Sequence, residues 1–193
     1  MTKRDALVEA TKELVSQHGY RAVSPRMILD ESGAGQGSLY HHFAGKVDLA
    51  GTALDQLSTE MCTEFDVEMS RHPDPMDQLS TYLALERDAL GGCRVGRLAH
   101  EDAIGMPEIR DPVARYFNHV EQGLLGAATR AAEEGHLRPG IDPGDVAAAL
   151  VAAVQGGYVI ARVHKDPDAM TRALRGAEAL LRDLESDTDD REG

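Results

Sequence analysis

Residues 24–49 read SPRMILDESGAGQGSLYHHFAGKVDL, a stretch that predicts two short helices joined by a glycine turn. Ser24 suits the cap of the first helix and Pro25 its first position, because a helix start has spare N–H groups and loses nothing to proline. Gly33 suits the end of that helix, since glycine adopts the left-handed conformation without strain. The pattern therefore predicts a helix-turn-helix.

The second short helix, predicted from Gln36 to Phe43, has barely two turns and cannot be stable without packing. Leu39 and Phe43 are four residues apart, so we expect both to point inward. The other face carries small or hydrogen-bonding residues and no carboxylate: Gln36, Gly37, Ser38, Tyr40 and His41. Such a face suits contact with nucleic acid.

The run from Gly33 to Phe43, followed by Lys46, Asp48 and Leu49, resembles the DNA-binding motif of the TetR family of transcriptional regulators. The resemblance covers about residues 5–55. A weaker likeness, at residues 92–96 and 155–157, is to the branch that includes regulators of multidrug-efflux genes. Outside the motif the chain resembles the family only in its layout of helices.

The resemblance implies DNA-backbone contacts by residues of both motif helices and of the helix that follows: Ser24, Arg26, Tyr40, His41 and Lys46. For base readout, Gln36 can hold an adenine edge with two hydrogen bonds, and Ser38 can add one. Gly35 and Gly37 present no side chain, so we expect the helix backbone to approach the groove closely and DNA shape to contribute to specificity.

Charge is distributed unevenly along the chain. The formal net charge is -13, yet residues 1–50 carry six basic and six acidic side chains. Residues 51–193 carry 14 basic and 27 acidic ones, which phosphate repels, so DNA can approach one end only. The alternative explanation of the acidity is solubility alone.

The chain is predicted to be all-α because alanine and leucine recur at helical spacings and alternating strand patterns are missing. We predict an N-terminal three-helix domain over residues 1–50, a larger helical domain over residues 51–185 and a disordered acidic tail over residues 186–193. About nine helices are expected. Besides the two motif helices, they cover residues 4–18, 46–70, 76–90, 93–105, a span from Pro107 or Pro112 to Glu134, 144–164 and 167–185.

Other classes of protein lack support in the sequence. Cys62 and Cys93 form no metal-binding spacing and no disulfide framework, which fits a reducing cytoplasm, and we expect no cofactor or metal. The N-terminus lacks a signal peptide and no apolar run reaches the length of a membrane span, so no membrane partner is expected. The polar cluster at residues 100–102 matches no catalytic or metal-ligand spacing, which argues against an enzyme.

The last two predicted helices favour a homodimer through a four-helix interface. One carries small residues at four-residue spacing, Ala149, Ala153, Gly157 and Ala161, and the other an apolar stripe of Met170, Leu174, Ala177, Leu181 and Leu184. The alternative is that these residues form an intramolecular core.

In the resembling family the larger domain houses a small-molecule pocket, and ligand binding changes the spacing of the two DNA-binding motifs. Methionine, aromatic and nearby residues are candidates for the pocket wall: Met61, Phe65, Met69, Tyr82, Leu85, Met106, Tyr116, Phe117, Gln155 and Tyr158. His100 and His119 can orient a polar ligand group. Each of these residues also suits an ordinary structural role.

We therefore predict a ligand-responsive transcriptional regulator that acts as a repressor. It binds a palindromic double-stranded operator as a homodimer and is released by a small apolar or aromatic effector. The alternative is a helical interaction protein with a degenerate helix-turn-helix and no DNA affinity.

Overall fold

A computed structural model of the chain describes residues 2–186, and these form an all-helical protein. The eight α-helices are α1 (Lys3–His18), α2 (Pro25–Ser32), α3 (Gln36–His42), α4 (Lys46–Ser70), α5 (Pro75–Ala84), α6 (Pro107–Glu133), α7 (Pro143–His164) and α8 (Pro167–Asp183). Two 3-10 turns, Gly96–His100 and Asp102–Gly105, lie between α5 and α6. The predicted fold class is confirmed, and the predicted number of helices was close.

Two predicted helices differ from the structure between residues 76 and 105. The helix predicted over 76–90 ends at Ala84, where the Arg87 guanidinium donates hydrogen bonds to the carbonyls of Tyr82, Leu83 and Leu85. These bonds satisfy carbonyl groups that a continuing helix would have used. The helix predicted over 93–105 is replaced by the two 3-10 turns, with Glu101 in extended conformation between them. Both predictions were wrong in these details.

Helix α6 begins at Pro107 rather than at Pro112, which lies inside it. Proline lacks the N–H that an interior helical position normally donates. The buried Ser58 hydroxyl of α4 donates a hydrogen bond to the carbonyl of Pro112 at 2.7 Å.

The chain divides into two compact units. The first consists of the residues up to Cys62 together with Cys93–Phe117, and the second of Thr63–Gly92 together with the residues from Asn118 onward. Helices α4 and α6 each contribute to both units. The first unit therefore includes the predicted DNA-binding domain and also a segment that the sequence placed in the larger domain. The functional division at residue 50 stays a prediction.

In the first unit, α1 packs against α2 and α3. Leu7, Ile28 and Leu39 are fully buried there, which fixes the two motif helices against α1. Lys12 is buried as well, and its ammonium lies 3.1 Å from the Glu9 carboxylate and 2.5 Å from that of Glu60 on α4. Burial works to lower the pKa of Lys12, but the hydrogen bonds with Glu60 and Glu9 outweigh it and the pKa is raised.

In the second unit, α7 packs closely on α8, and α5 contacts both. The small residues of α7 serve this contact: a β-carbon added at Gly157 would lie 3.1 Å from Cγ of Met170. Gly157, Ala161, Met170 and Leu181 are all buried within the chain. Their surface is already covered within the chain, which favours the intramolecular alternative for these four, and their place in a dimer interface stays a prediction.

The other residues predicted for the dimer interface keep some access to solvent. Ala149 is exposed, and the remaining members are half-buried: Ala153, Leu174, Ala177 and Leu184. Of the predicted tail only Ser186 is described, and its amide donates to the His136 carbonyl at 2.9 Å. The prediction of disorder for residues 187–193 lies outside the described residues.

Candidate nucleic-acid interface

Helix α2 begins and ends as its sequence predicts. The Ser24 hydroxyl accepts a hydrogen bond from the Met27 amide at 3.2 Å, and Pro25 occupies the first turn. Gly33 ends the helix at φ 61°, in the left-handed region. This defined end places the two-residue turn before α3, and so determines where α3 starts.

Helix α3 buries one side and exposes the other. Leu39 within it and Phe43 at its end are buried, which confirms the predicted inward face. Gln36, Gly37 and His41 are exposed, and Tyr40 keeps 59% of its surface accessible. Ser38 is half-buried. The structure therefore brings the predicted DNA-facing residues of α3 together on one open surface that carries no carboxylate.

Packing within the chain does not require glycine at the two glycine positions at the start of α3. Gly35 caps the helix without a side-chain hydrogen bond. A β-carbon added at Gly35 or Gly37 would meet no atom within 4 Å. Packing within the chain therefore does not explain these two glycines, and their small size would let another molecule approach the backbone closely.

The remaining DNA-facing residues carry charge or lie beside the motif. Arg26 is exposed and its guanidinium lies 3.5 Å from the Asp30 carboxylate, one turn further along α2. Exposed pairs of this kind are weak, so a phosphate can compete with Asp30 for the arginine. His42 is exposed as well, with its ring 4.8 Å from that of His41.

The side chain of Lys46, at the start of α4, already has contacts within the chain. Its ammonium donates to the Tyr20 carbonyl at 2.6 Å and lies 3.9 Å from the centre of the Tyr20 ring. Burial lowers the pKa of Lys46, while the charge of Glu101 opposes this shift. Because an ammonium has three donors, contact with a phosphate is compatible with this arrangement and stays a prediction.

Two basic residues that the sequence reasoning missed lie beside the motif. The Lys3 ammonium donates to the Gly33 carbonyl at 3.0 Å, and the Arg4 guanidinium lies 5.5 Å from the centre of the Phe43 ring. Both residues are exposed. Nothing in the sequence around Lys3 and Arg4 indicates that they lie near the motif, because only the packing of α1 on α2 and α3 brings them there.

The predicted pocket-wall residues are distributed over both compact units. In the first unit Met61 is buried, and Met106, Tyr116 and Phe117 are half-buried. In the second, the Phe65 and Tyr82 rings meet edge to face at 6.1 Å. Both are buried, while Met69, Leu85, Gln155 and Tyr158 are half-buried. Their role in binding an effector stays a prediction.

The histidines suggested as ligand-orienting groups differ in their surroundings. Nε2 of His119 lies 2.7 Å from the Asp66 carboxylate, and its ring is 6.0 Å from that of Phe65. His100 is exposed. Only His119 is therefore placed beside predicted pocket-wall residues of its own unit.

A cavity of about 810 Å³ lies between the α5 region and α8 in the second unit. Its apolar lining includes Leu83, Leu85, Met170 and Leu174, and Thr171 and Arg175 are among its polar neighbours. Of the predicted wall residues, Leu85 alone lines it. Sequence reasoning missed the rest, because residues from α5 and α8 have no shared pattern before the helices pack.

The motif and its setting define a helix-turn-helix DNA-binding protein with an appended helical domain. Residues 7–52 match the family described as bacterial regulatory proteins, tetR family, and residues 74–177 match the tetracyclin repressor-like C-terminal domain. The chain belongs to the TetR family of transcriptional regulators.

Similar proteins agree with this assignment along nearly the whole chain. The HTH-type transcriptional regulator YxaF of Bacillus subtilis is 24% identical over 186 residues, covering 93% of this chain and 95% of that protein. The HTH-type transcriptional repressor KstR2 of Mycobacterium tuberculosis is 25% identical over 152 residues, covering 73% and 72%.

Among solved structures, a TetR-family regulator from Cytophaga hutchinsonii shares the fold with a TM-score of 0.85 at 19% identity. The match covers 96% of each chain. These relatives are transcriptional regulators rather than enzymes.

Proposed function

We propose that this chain is a cytoplasmic, ligand-responsive repressor. In this proposal it binds a palindromic operator as a homodimer and releases it when a small apolar or aromatic effector binds. The observation that carries the proposal is the exposed face of α3, where Gln36, Tyr40 and His41 stand together without a carboxylate. A polar, uncharged face on a short helix held by a buried Leu39 suits insertion into the major groove.

Dimerisation is supported by apolar surface that the chain leaves uncovered. Val159, Ile160 and Val163 on α7 are exposed, Val163 to 74%, and Leu180 on α8 is exposed to 68%. The three α7 residues share one helical face. Apolar side chains gathered in this way favour association with a second apolar surface, and a second copy of the same chain offers one.

Helix α7 is also, among the described residues, the one helix whose length and composition would suit a membrane span, and only 33% of its most apolar stretch is buried. Core helices of soluble proteins have the same length and apolar composition, so these two features do not indicate a membrane. Burial against α7 and α8 of a second copy accounts for the same exposed apolar surface.

An effector is supported by the size and lining of the cavity beside α8. A volume of about 810 Å³ lies in the range of about 300–1,000 Å³ typical of small-molecule sites. Most of the cavity surface is apolar, with leucine and methionine among the side chains that line it, and this favours an apolar or aromatic compound. Effector binding here would stabilise one arrangement of the helices over another, as a ligand-responsive repressor requires.

The proposal is tested by selecting bound duplexes from a random-sequence DNA library and measuring their affinity by fluorescence anisotropy over a range of salt. We expect a two-fold symmetric consensus and an affinity that falls steeply with added salt, because binding releases counterions from the phosphates. Tyr40→Phe, which removes one hydroxyl from the exposed face, should weaken binding without changing the consensus. Failure to enrich any duplex at low ionic strength would favour the interaction-protein alternative.

A further inference from the structure

In the first unit, three side chains bind the backbone at the end of α1 and in the loop between α1 and α2. The Glu101 carboxylate accepts hydrogen bonds from the Tyr20 amide at 3.1 Å and the Arg21 amide at 2.8 Å. The Arg97 guanidinium donates to the Gln17 carbonyl. On the far side Lys46 donates to the Tyr20 carbonyl at 2.6 Å. All of these hydrogen bonds go to backbone groups.

Glu101 makes the most specific of these contacts. It stands in extended conformation between the two 3-10 turns and is half-buried. Its two oxygens each accept from a different, consecutive amide. Hydrogen bonds to a charged acceptor are stronger than those between neutral groups, and a bidentate arrangement also fixes direction.

Glycine at position 19 leaves space for the Glu101 carboxylate beside the loop. Gly19, which ends α1, has φ 83°, a conformation that other residues adopt only with strain. A β-carbon at Gly19 would collide with Oε1 of Glu101. Glycine at this position therefore turns the chain and leaves room for the carboxylate beside the next two amides.

We infer that Glu101 is a positioning residue for DNA binding: its carboxylate fixes the exit of α1, and with it α2 and α3, before operator is bound. Helix α1 packs on both motif helices, so the path of residues 17–21 determines where those helices can lie. A segment already ordered before binding loses less conformational freedom on binding, and affinity is higher as a result. The inference rests on the proposed DNA-binding function.

The neighbouring residue supplies a matched control. Asp102 carries the same charge one position along, is fully exposed, and lies 4.0 Å from the equally exposed Arg21 guanidinium. Asp102→Asn removes one negative charge from the same place without touching the amides of the loop. A general electrostatic effect on DNA affinity would appear in this variant as well, whereas loss of positioning would not.

The first measurement is amide hydrogen exchange by NMR on the full chain, without DNA. In Glu101→Ala, exchange at Tyr20 and Arg21 should become on the order of tenfold faster or more, because both amides lose a charged acceptor. Glu101→Gln keeps an acceptor oxygen at the same reach and should restore part of the protection. The Gly19 amide, which donates to the Val15 carbonyl at 2.9 Å, should keep its protection in every variant.

The second measurement is affinity for the selected operator at fixed salt and well below the melting temperature. Glu101→Ala should bind on the order of tenfold more weakly, Glu101→Gln should lie between it and the parent chain, and Asp102→Asn should bind at least as tightly as the parent. Gly19→Ala should reproduce the loss in both measurements, since it displaces the same carboxylate.

The two measurements separate the possible failures. Unchanged exchange at Tyr20 and Arg21 in Glu101→Ala would overturn the contact itself. Faster exchange with unchanged or tighter operator binding would overturn the positioning role. If the parent chain bound no duplex, the proposed function would be wrong. The positioning role of Glu101 in DNA binding would then be wrong as well, whatever the exchange measurements showed.

Discussion

At the scale of single residues, Gln36 is the side chain that we propose for direct base readout. It is exposed at the first position of α3, and its neighbours Gly35 and Gly37 contribute no side chain. Its amide can donate to and accept from an adenine edge through two separate atoms, whereas a hydroxyl has a single oxygen for both bonds.

We expect Gln36→Ala to change the preferred base at one position of each operator half-site and to weaken binding by about 1–3 kcal/mol. Repeating the duplex selection with the variant measures both effects. Ser38→Ala, at a half-buried neighbour, serves as the comparison and should change the consensus less. An unaltered consensus for Gln36→Ala would show that specificity comes from elsewhere, for example from DNA shape.

The buried ammonium of Lys12 is a residue-scale determinant of stability. Glu60→Gln should lower the free energy of unfolding by about 1–2 kcal/mol, because it removes one charged partner of a side chain that is only 8% exposed. The exposed pair Arg26–Asp30 provides the control, and Asp30→Asn should cost at most about 0.5 kcal/mol. Chemical denaturation of both variants checks the difference.

The pH dependence of the Lys12 contribution follows from its raised pKa. A basic group with a folded-state pKa above 10.5 binds its proton more tightly in the folded chain, so its contribution is complete below that value. The contribution is lost as pH rises through the folded pKa. The stability difference between the parent chain and Glu60→Gln should therefore be constant near neutral pH and shrink above about pH 10.5.

At the scale of helices, two glycines of α6 in the second unit have different surroundings. A β-carbon at Gly123 would lie 2.5 Å from Cε1 of Phe65, whose buried ring also meets the rings of Tyr82 and His119. At Gly126 the nearest atom would be Nη1 of Arg130, at 3.7 Å. Close approach of another side chain therefore explains Gly123 and does not explain Gly126.

Gly123→Ala should lower the free energy of unfolding by about 1–3 kcal/mol, because the cost of overpacking exceeds the gain in helix propensity. Gly126→Ala should raise it by up to about 1 kcal/mol, since only the propensity term applies. Thermal or chemical unfolding of the two variants measures the contrast. Equal effects of the same sign would contradict the packing explanation.

The cavity between the α5 region and α8 can be tested by comparing two variants of Thr171, one that fills it and one that does not. Thr171 lines it from α8, so Thr171→Trp should fill part of the volume while Thr171→Ser leaves it open. An apolar fluorescent probe such as anilinonaphthalene sulfonate should bind the parent chain and Thr171→Ser, and bind Thr171→Trp on the order of tenfold more weakly. Equal binding by all three would place the site elsewhere.

At the scale of the whole molecule, the proposed function requires two copies of the chain to pair. A dimer presents two α3 helices to a palindromic site, and half-site spacing then follows from the symmetry of the pair. We propose that the exposed apolar residues of α7 and α8 form the surface through which the two copies pair.

Val163→Glu should shift the chain from dimer to monomer, because a carboxylate cannot be buried in an apolar interface without a partner. Sedimentation velocity measures the oligomeric state, and operator affinity should fall together with the dimer fraction. Val67→Glu makes the same change at an exposed valine of α4, 46% accessible, and should remain dimeric. A dimeric Val163→Glu would place the interface on another surface.

Much of this protein could be predicted locally. The Ser24 cap, the left-handed Gly33 and the inward Leu39 each depend on a few neighbouring residues, and each is found as expected. The family followed from the same stretch. The end of α5 was missed because Arg87, beyond the helix, binds its last carbonyls, which no periodicity encodes.

The sequence alone determined the helix-turn-helix, the all-α class and the acidic character of the larger domain, because capping, helical periodicity and charge are properties of adjacent residues. Only the tertiary structure decided which apolar faces are already covered, as at Gly157 and Met170, and which remain open, as at Val163. It also decided that Glu101, some eighty residues from Tyr20 in sequence, bonds to that loop. Contacts between distant residues depend on how whole helices pack, and packing is not contained in any single stretch.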